Sequence, residues 1–173
     1  PYLTIQHALD QVGTNGTVSV AAGTYDETIA ISKSGITLTG AGAGSVIMGQ
    51  AVSGATVTIG AADVTVTGFT IGHVTYGSIT GIEIGAGGAT VRDLTVGSFT
   101  ATSGVARGIR ITAGGAISDV SISGVVIDGI TASSSAYGIH VSQAVTGLEI
   151  AGSTLSSISG GSNAYGIWVA ASA

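Results

Sequence analysis

Apolar residues along this chain come in pairs separated by a single residue, and the pairs return at a nearly constant interval. The clearest series is Gly-Ile-x-Ile/Val: Gly81-Ile82-Glu83-Ile84, Gly108-Ile109-Arg110-Ile111, Gly138-Ile139-His140-Val141 and Gly166-Ile167-Trp168-Val169. Val57-Thr58-Ile59 and Ile29-Ala30-Ile31 extend it toward the N-terminus. A second series runs Val18-Ser19-Val20, Ile36-Thr37-Leu38, Val64-Thr65-Val66, Ala89-Thr90-Val91, Val120-Ser121-Ile122 and Leu148-Glu149-Ile150. A third runs Phe69-Thr70-Ile71, Leu94-Thr95-Val96, Val125-Val126-Ile127 and Ser153-Thr154-Leu155. Alternation sends the flanking residues of each triplet to one face of a strand and the middle one to the other. Three short strands per return can bury their apolar faces only by stacking on the next return. A β-sandwich would also use short strands, but without a register that comes back about every 28 residues.

The pattern therefore predicts an all-β fold: a right-handed, single-stranded parallel β-helix of about five to six coils with three parallel sheets. The first residues differ. Ile5, Ala8, Leu9 and Val12 share one helical stripe, and Thr4 stands where an N-cap belongs. Residues 1–17 are read as a capping helix and turn, and 18–173 as the coils of one domain. After Val169 no element closes the last coil. That coil is expected to be uncapped, so that the chain continues in a longer protein or self-associates there, head to tail. A start at Pro1 rather than Met fits a segment of a longer precursor.

Composition narrows the function classes. Charged residues make up 8% of the chain, against about a quarter in an ordinary domain, yet no apolar run reaches the ~18–20 residues of a membrane span. A net charge of −5 repels a phosphate backbone, so nucleic acid is not an expected partner. The absence of cysteine excludes disulfides and thiolate metal sites. An extracellular or cell-surface location is expected. Asn15-Gly16-Thr17 adds a candidate glycosylation acceptor at Asn15.

Tyr2-Leu3-Thr4-Ile5-Gln6-His7-Ala8-Leu9-Asp10, then Gly16 to Ile29 (Gly-Thr-Val-Ser-Val-Ala-Ala-Gly-Thr-Tyr-Asp-Glu-Thr-Ile), then Ile36-Thr37-Leu38-Thr39-Gly40-Ala41-Gly42 resemble the opening of the pectin-lyase-like β-helix superfamily. Pectinesterases and many β-helix surface proteins share this opening. The rest of the chain matches only as generic repeats. The superfamily includes lyases, hydrolases, esterases, phage spikes and non-catalytic surface proteins, so the resemblance implies a fold and not a reaction.

The resemblance to pectinesterases implies paired aspartates and glutamines. Gly49-Gln50-Ala51-Val52 echoes one such string, but no companion Asp-Phe-x-Phe-Gly-like string follows and Gln50 falls in an early turn. Lyases of this fold would need a base and clustered acids for Ca²⁺. Here Asp63, Asp93, Asp119 and Asp128 are scattered at strand ends, where turn-capping accounts for them. Glu83 and Glu149 lie in different strand series and so do not form a hydrolase dyad. The glycine run Gly40 to Gly44 lacks the lysine of a phosphate loop, His7 belongs to the cap, and His73 is assigned to a solvated turn. No cofactor and no metal site are expected.

One arrangement stands out. The middle residues of the first series, Ala30, Thr58, Glu83, Arg110, His140 and Trp168, should stack on the outer face of one sheet at about 4.8 Å per coil. Three residues upstream lie Thr80, Arg107, Tyr137 and Tyr165. Candidate ligand residues are therefore Glu83, Arg107, Arg110, Tyr137, His140, Tyr165 and Trp168. Aromatic faces beside planar donors suit sugar rings, and equally a protein partner. Cross-strand pairs of this kind also stabilise exposed sheets with no ligand at all. Thr37, Thr65, Thr90 and Ser121 form a hydroxyl rank that suggests ice binding, but the accompanying rank Thr39, Thr67, Arg92, Ser123, Ala151 is broken.

The leading expectation is a non-catalytic β-helix module with a structural, adhesive or self-assembling role. The alternative is a carbohydrate-active enzyme (polysaccharide lyase or carbohydrate esterase) or a glycan-binding module of the same superfamily.

Overall fold

The computed structural model describes residues 2–112 and 115–170. One helix, Ile5–Gln11, precedes a solenoid in which every strand pair is parallel. Sheet A contains Thr17–Val20, Thr37–Gly40, Thr65–Thr67, Thr90–Arg92, Ser121–Ser123 and Glu149–Ala151 in that order. Sheet B contains Gly23–Tyr25, Ser45–Gly49, Thr70–His73, Thr95–Ala101 and Val126–Ala132. The last of these pairs with both Thr154–Leu155 and Ile158–Gly160. Sheet C contains Ile29–Ile31, Gly54–Ile59, Ile79–Ile84, Ala106–Ile111, Ser135–Val141 and Asn163–Val169. A two-stranded pair, Ile117–Ser118 with Val145–Thr146, sits at one corner.

The three apolar series become three columns inside the coil. Ile29, Val57, Ile82, Ile109 and Ile139 stack in register and are fully buried. Leu38, Val66, Val91 and Ile122 do the same from sheet A, and Ile47, Ile71, Val96 and Ile127 from sheet B. Fully burying each such side chain contributes about 1.5–3 kcal/mol. Repetition therefore makes the core, and no single residue dominates it. In the last described sheet C strand, Ile167 is 48% exposed where Ile139 is buried. The tail Ala171 to Ala173, on which the reading of an unclosed last coil partly rests, lies outside the described residues.

Two details depart from the sequence reading. The first strand sits two residues out of the expected line, with Val18 opposite Leu38 and Val20 opposite Gly40. A two-residue slip keeps every side chain on its face, so the apolar pattern alone could not fix it. The corner fixes it: Asn15 N–H donates to Ser34 O, and Thr37 N–H to Gly16 O. Sheet B also begins two coils earlier than its apolar series, at Gly23–Tyr25 and Ser45–Gly49, in glycine-rich strings that resemble turns.

The cap helix is held by the first coil through side chains. Thr4 is its N-cap and accepts from His7 N–H at 3.2 Å. Both oxygens of Glu27 accept from the helix start, Oε1 from Ile5 N–H at 2.8 Å and Oε2 from Gln6 N–H at 2.9 Å. Lys33 Nζ donates to the carbonyls of Leu9, Asp10 and Val12 at the other end. The Gln6 amide accepts from Ala30 N–H and donates to Ala30 O, standing in for a neighbouring strand at the open edge of sheet C.

Asx residues and glycines alternate at the corner before sheet A. Asn15, Gly35, Asp63, Gly88, Asp119 and Gly147 all have positive φ, between 57° and 73°. Asx residues and glycine are the two types that tolerate this region. A Cβ on Gly88 would overlap the Asp63 carboxylate of the neighbouring coil, so the alternation gives each Asx side chain a glycine to lie over. The turn reading of Asp63 and Asp119 holds, and exposed Asn15 belongs to the same column.

Candidate functional site

The outer face of sheet C carries a dense cluster of planar side chains. Strict alternation would send Arg107 and Arg110, three residues apart, to opposite faces. Gly108 prevents this. In Ala106–Ile111 the ladder pairs Ala106 and Arg107, omits Gly108, and resumes at Ile109. Ala106, Ile109 and Ile111 point inward while both arginines stay outside. Gly81 and Gly138 do the same in adjacent coils, so the extra residue recurs in register. The glycine must be small: a Cβ on Gly108 would lie 2.7 Å from Gly138 O and 2.7 Å from Ile127 Cγ2.

Two outward columns result. One is Thr80, Arg107, Tyr137 and Tyr165; the other is Thr58, Glu83, Arg110, His140 and Trp168. All seven sequence-selected residues therefore share one face. Arg110 Nη1 donates to Glu83 Oε2 at 3.3 Å, with both side chains about one-third exposed (33% and 30%). Arg107 Nε donates to His140 Nδ1 at 2.9 Å, and its Cζ lies 5.8 Å from the Tyr137 ring centroid. His140 stacks on Tyr137 at 4.6 Å and 15°, and Tyr137 on Tyr165 at 5.3 Å and 16°. Trp168, 38% exposed, leans on Tyr165 at 4.5 Å.

Electrostatics mark the same face. Burial, then the nearby Arg107 and Arg110 guanidiniums, push the His140 pKa down to about 4. Burial, then Arg110, also lowers that of Arg107. Among the described residues, Lys33 is committed to the helix end, Arg92 pairs with Asp93 at 2.8 Å, and Arg110 pairs with Glu83. Arg107 is the cation without a carboxylate partner among those residues. The Arg92–Asp93 pair is open to water, at 47% and 63% side-chain exposure. Arg92→Ala is expected to change stability by less than about 1 kcal/mol in urea denaturation.

Other candidates disperse. Glu149 lies on sheet A, away from Glu83. Asp128 is exposed, and hydrogen bonds from the Ser156 and Ser157 hydroxyls, the former at 2.7 Å, hold its carboxyl below the usual range. Gln50 is exposed and reaches only Asp26 O, at 3.4 Å. Among the described residues no group of three or more His, Cys, Asp or Glu could hold a metal. The hydroxyl ranks of sheet A are in register, and the second is interrupted at Arg92 and Ala151. His73 requires a correction. It is not in a solvated turn but ends the strand Thr70–His73 at 3% exposure, with Nδ1 2.6 Å from Val74 O. Gly49 in the preceding coil makes the room, since a Cβ there would lie 2.7 Å from the ring. A cavity of 360 Å³ lies at the cap end between the helix and the first strand, lined by Ile5, Ala8, Val12, Val18 and Tyr25 with no charged group.

Two solved pectin methylesterases that this chain is similar to share its fold. A pectin methylesterase in complex with a hexasaccharide superposes with a TM-score of 0.50 at 12% identity, over 84% of this chain and 62% of that one. The pectin methylesterase of Yersinia enterocolitica gives a TM-score of 0.50 at 17% identity, over 81% of this chain and 54% of that one. An alginate lyase from Paenibacillus gives 0.39 at 12% identity, over 88% and 94%. No protein-family model matches the sequence, and no curated protein does. The chain has a parallel β-helix fold, as these esterases do. It spans less than two thirds of the length of these two esterases. No helix among the described residues is long and apolar enough to cross a membrane.

Proposed function

We propose that this chain is a carbohydrate-binding β-helix, extracellular or at a cell surface, whose ligand lies across the outer face of sheet C. The observation that carries this reading is the gathering of Arg107, Arg110, His140, Tyr137, Tyr165 and Trp168 on one face of a chain that has only four Lys and Arg in all. Rings supply apolar surface for sugar C–H faces, and guanidinium and imidazole supply fixed donors for hydroxyls and carboxylates. The fold's esterase neighbours, one of them solved with a hexasaccharide, support a carbohydrate ligand. A lyase or esterase step is left unassigned, because the acids do not converge.

The test is calorimetric titration with a galacturonate hexamer and a neutral hexasaccharide. Binding of either is expected, and Arg107→Ala should weaken it at least tenfold, about 1.4 kcal/mol. Absence of binding to both saccharides, or native affinity retained in both Arg107→Ala and Trp168→Ala, would remove the proposal. The structural, adhesive or self-assembling role is the second reading. It draws on the rings stacking upon each other, which satisfies part of their surface within the chain.

A further inference from the structure

We propose that Arg107 and His140 form an acid-released latch, which pins the Arg107 guanidinium beside Tyr137 while the imidazole is neutral and frees it when the imidazole is protonated. The latch is a regulation of the face described above, and only its consequence for a ligand rests on the carbohydrate reading.

A guanidinium has donors and no acceptor. The 2.9 Å contact from Arg107 Nε therefore needs the lone pair of His140 Nδ1, which fixes the ring as the neutral tautomer with its proton on Nε2. The ring cannot turn away freely, because it stacks on Tyr137 of its own strand at 4.6 Å. The neighbouring strands carry few charges. Ala106–Ile111 presents Arg107 and Arg110; Ile79–Ile84 presents Glu83, already paired with Arg110; Asn163–Val169 presents Tyr165 and the uncharged Trp168. The described residues of these strands hold no second carboxylate to neutralise an imidazolium. Protonation would set an N–H against an N–H and add a positive charge beside two guanidiniums. The bond must then break, releasing Arg107 and leaving the face with a second uncompensated positive charge. Burial and those same guanidiniums hold the His140 pKa at about 4, against an ordinary value near 6.5.

As pH falls from about 6.5, an unfolded chain takes up a proton that the folded chain refuses until about pH 4. The contribution of the neutral ring is full above that window and is lost across it.

The experiment uses the chain alone. His140 ring resonances are followed by NMR from pH 7 to 3, together with fluorescence of Trp168, the sole tryptophan, which sits in register beside His140. Far-UV circular dichroism confirms that the solenoid persists. Both signals are expected to share a midpoint near 4. In His140→Gln the fluorescence step should vanish, because the amide oxygen accepts from Arg107 at every pH. In Arg107→Gln the His140 midpoint should rise toward 6.5, into a range where the fold is not challenged. The latch is overturned if His140 titrates near 6.5 in the native chain, if its midpoint ignores Arg107→Gln, or if the Trp168 step survives His140→Gln. No saccharide is present, so failure here leaves the carbohydrate reading standing, and failure to bind saccharide leaves the latch standing.

Discussion

Gly108→Ala is expected to lower thermal stability by roughly 1–3 kcal/mol, the range for overpacking a filled core, or about 2–4 °C in Tm for each kcal/mol. The added methyl meets Gly138 O and Ile127 Cγ2, both at 2.7 Å. One is backbone of the next coil and the other a buried side chain, so neither can retreat cheaply. The same substitution should disturb the ligand face, because Gly108 is the step that returns Arg110 to the side of Arg107. Loss of the Arg107–His140 contact, read from the His140 titration, should therefore accompany the fall in Tm. Gly13→Ala is the control: a Cβ there meets nothing within 4 Å, and its stability should stay within about 0.5 kcal/mol of native. Equal melting temperatures for the two variants would show that the coils separate enough to admit a methyl.

That glycine also shows where sequence reading stops. Period-two alternation predicted the three inner columns because burial writes them directly into residue type. The seven residues of the outer face could be grouped because they sit at fixed offsets in or just before a repeated tetrapeptide. The reason Arg107 and Arg110 share a side lies in an unpaired backbone step, and a glycine in a repeat looks the same whether it turns a corner or fills this role. The displaced first strand was invisible for a related reason: Val18 is apolar and inward in either register. His73 misled because its burial depends on Gly49 of another coil, a long-range vacancy that no local pattern announces.

The cap is the plainest case of long-range chemistry hidden in ordinary residues. Glu27 and Lys33 flank the strand Ile29–Ile31 and read as surface charges, yet they clamp opposite ends of Ile5–Gln11. Glu27→Ala is expected to cost about 2–3 kcal/mol. It removes two hydrogen bonds to a carboxylate and a favourable negative charge at a helix start, and it leaves two N–H groups to partial hydration. A helix this short has little stability of its own, so the loss should act on the whole cap. Ile5 and Leu9, now buried at 2% and 4% exposure, would be uncovered together with the first coil. Urea denaturation should show a lower midpoint for Glu27→Ala. Glu27→Gln should fall between the two, since one amide oxygen can still accept from Ile5 or Gln6. Native-like stability in Glu27→Ala would mean that apolar contact from Ile5 and Leu9 holds the helix unaided. A graded order of Glu, Gln and Ala would instead assign the seal on this end of the solenoid to the Glu27 carboxylate.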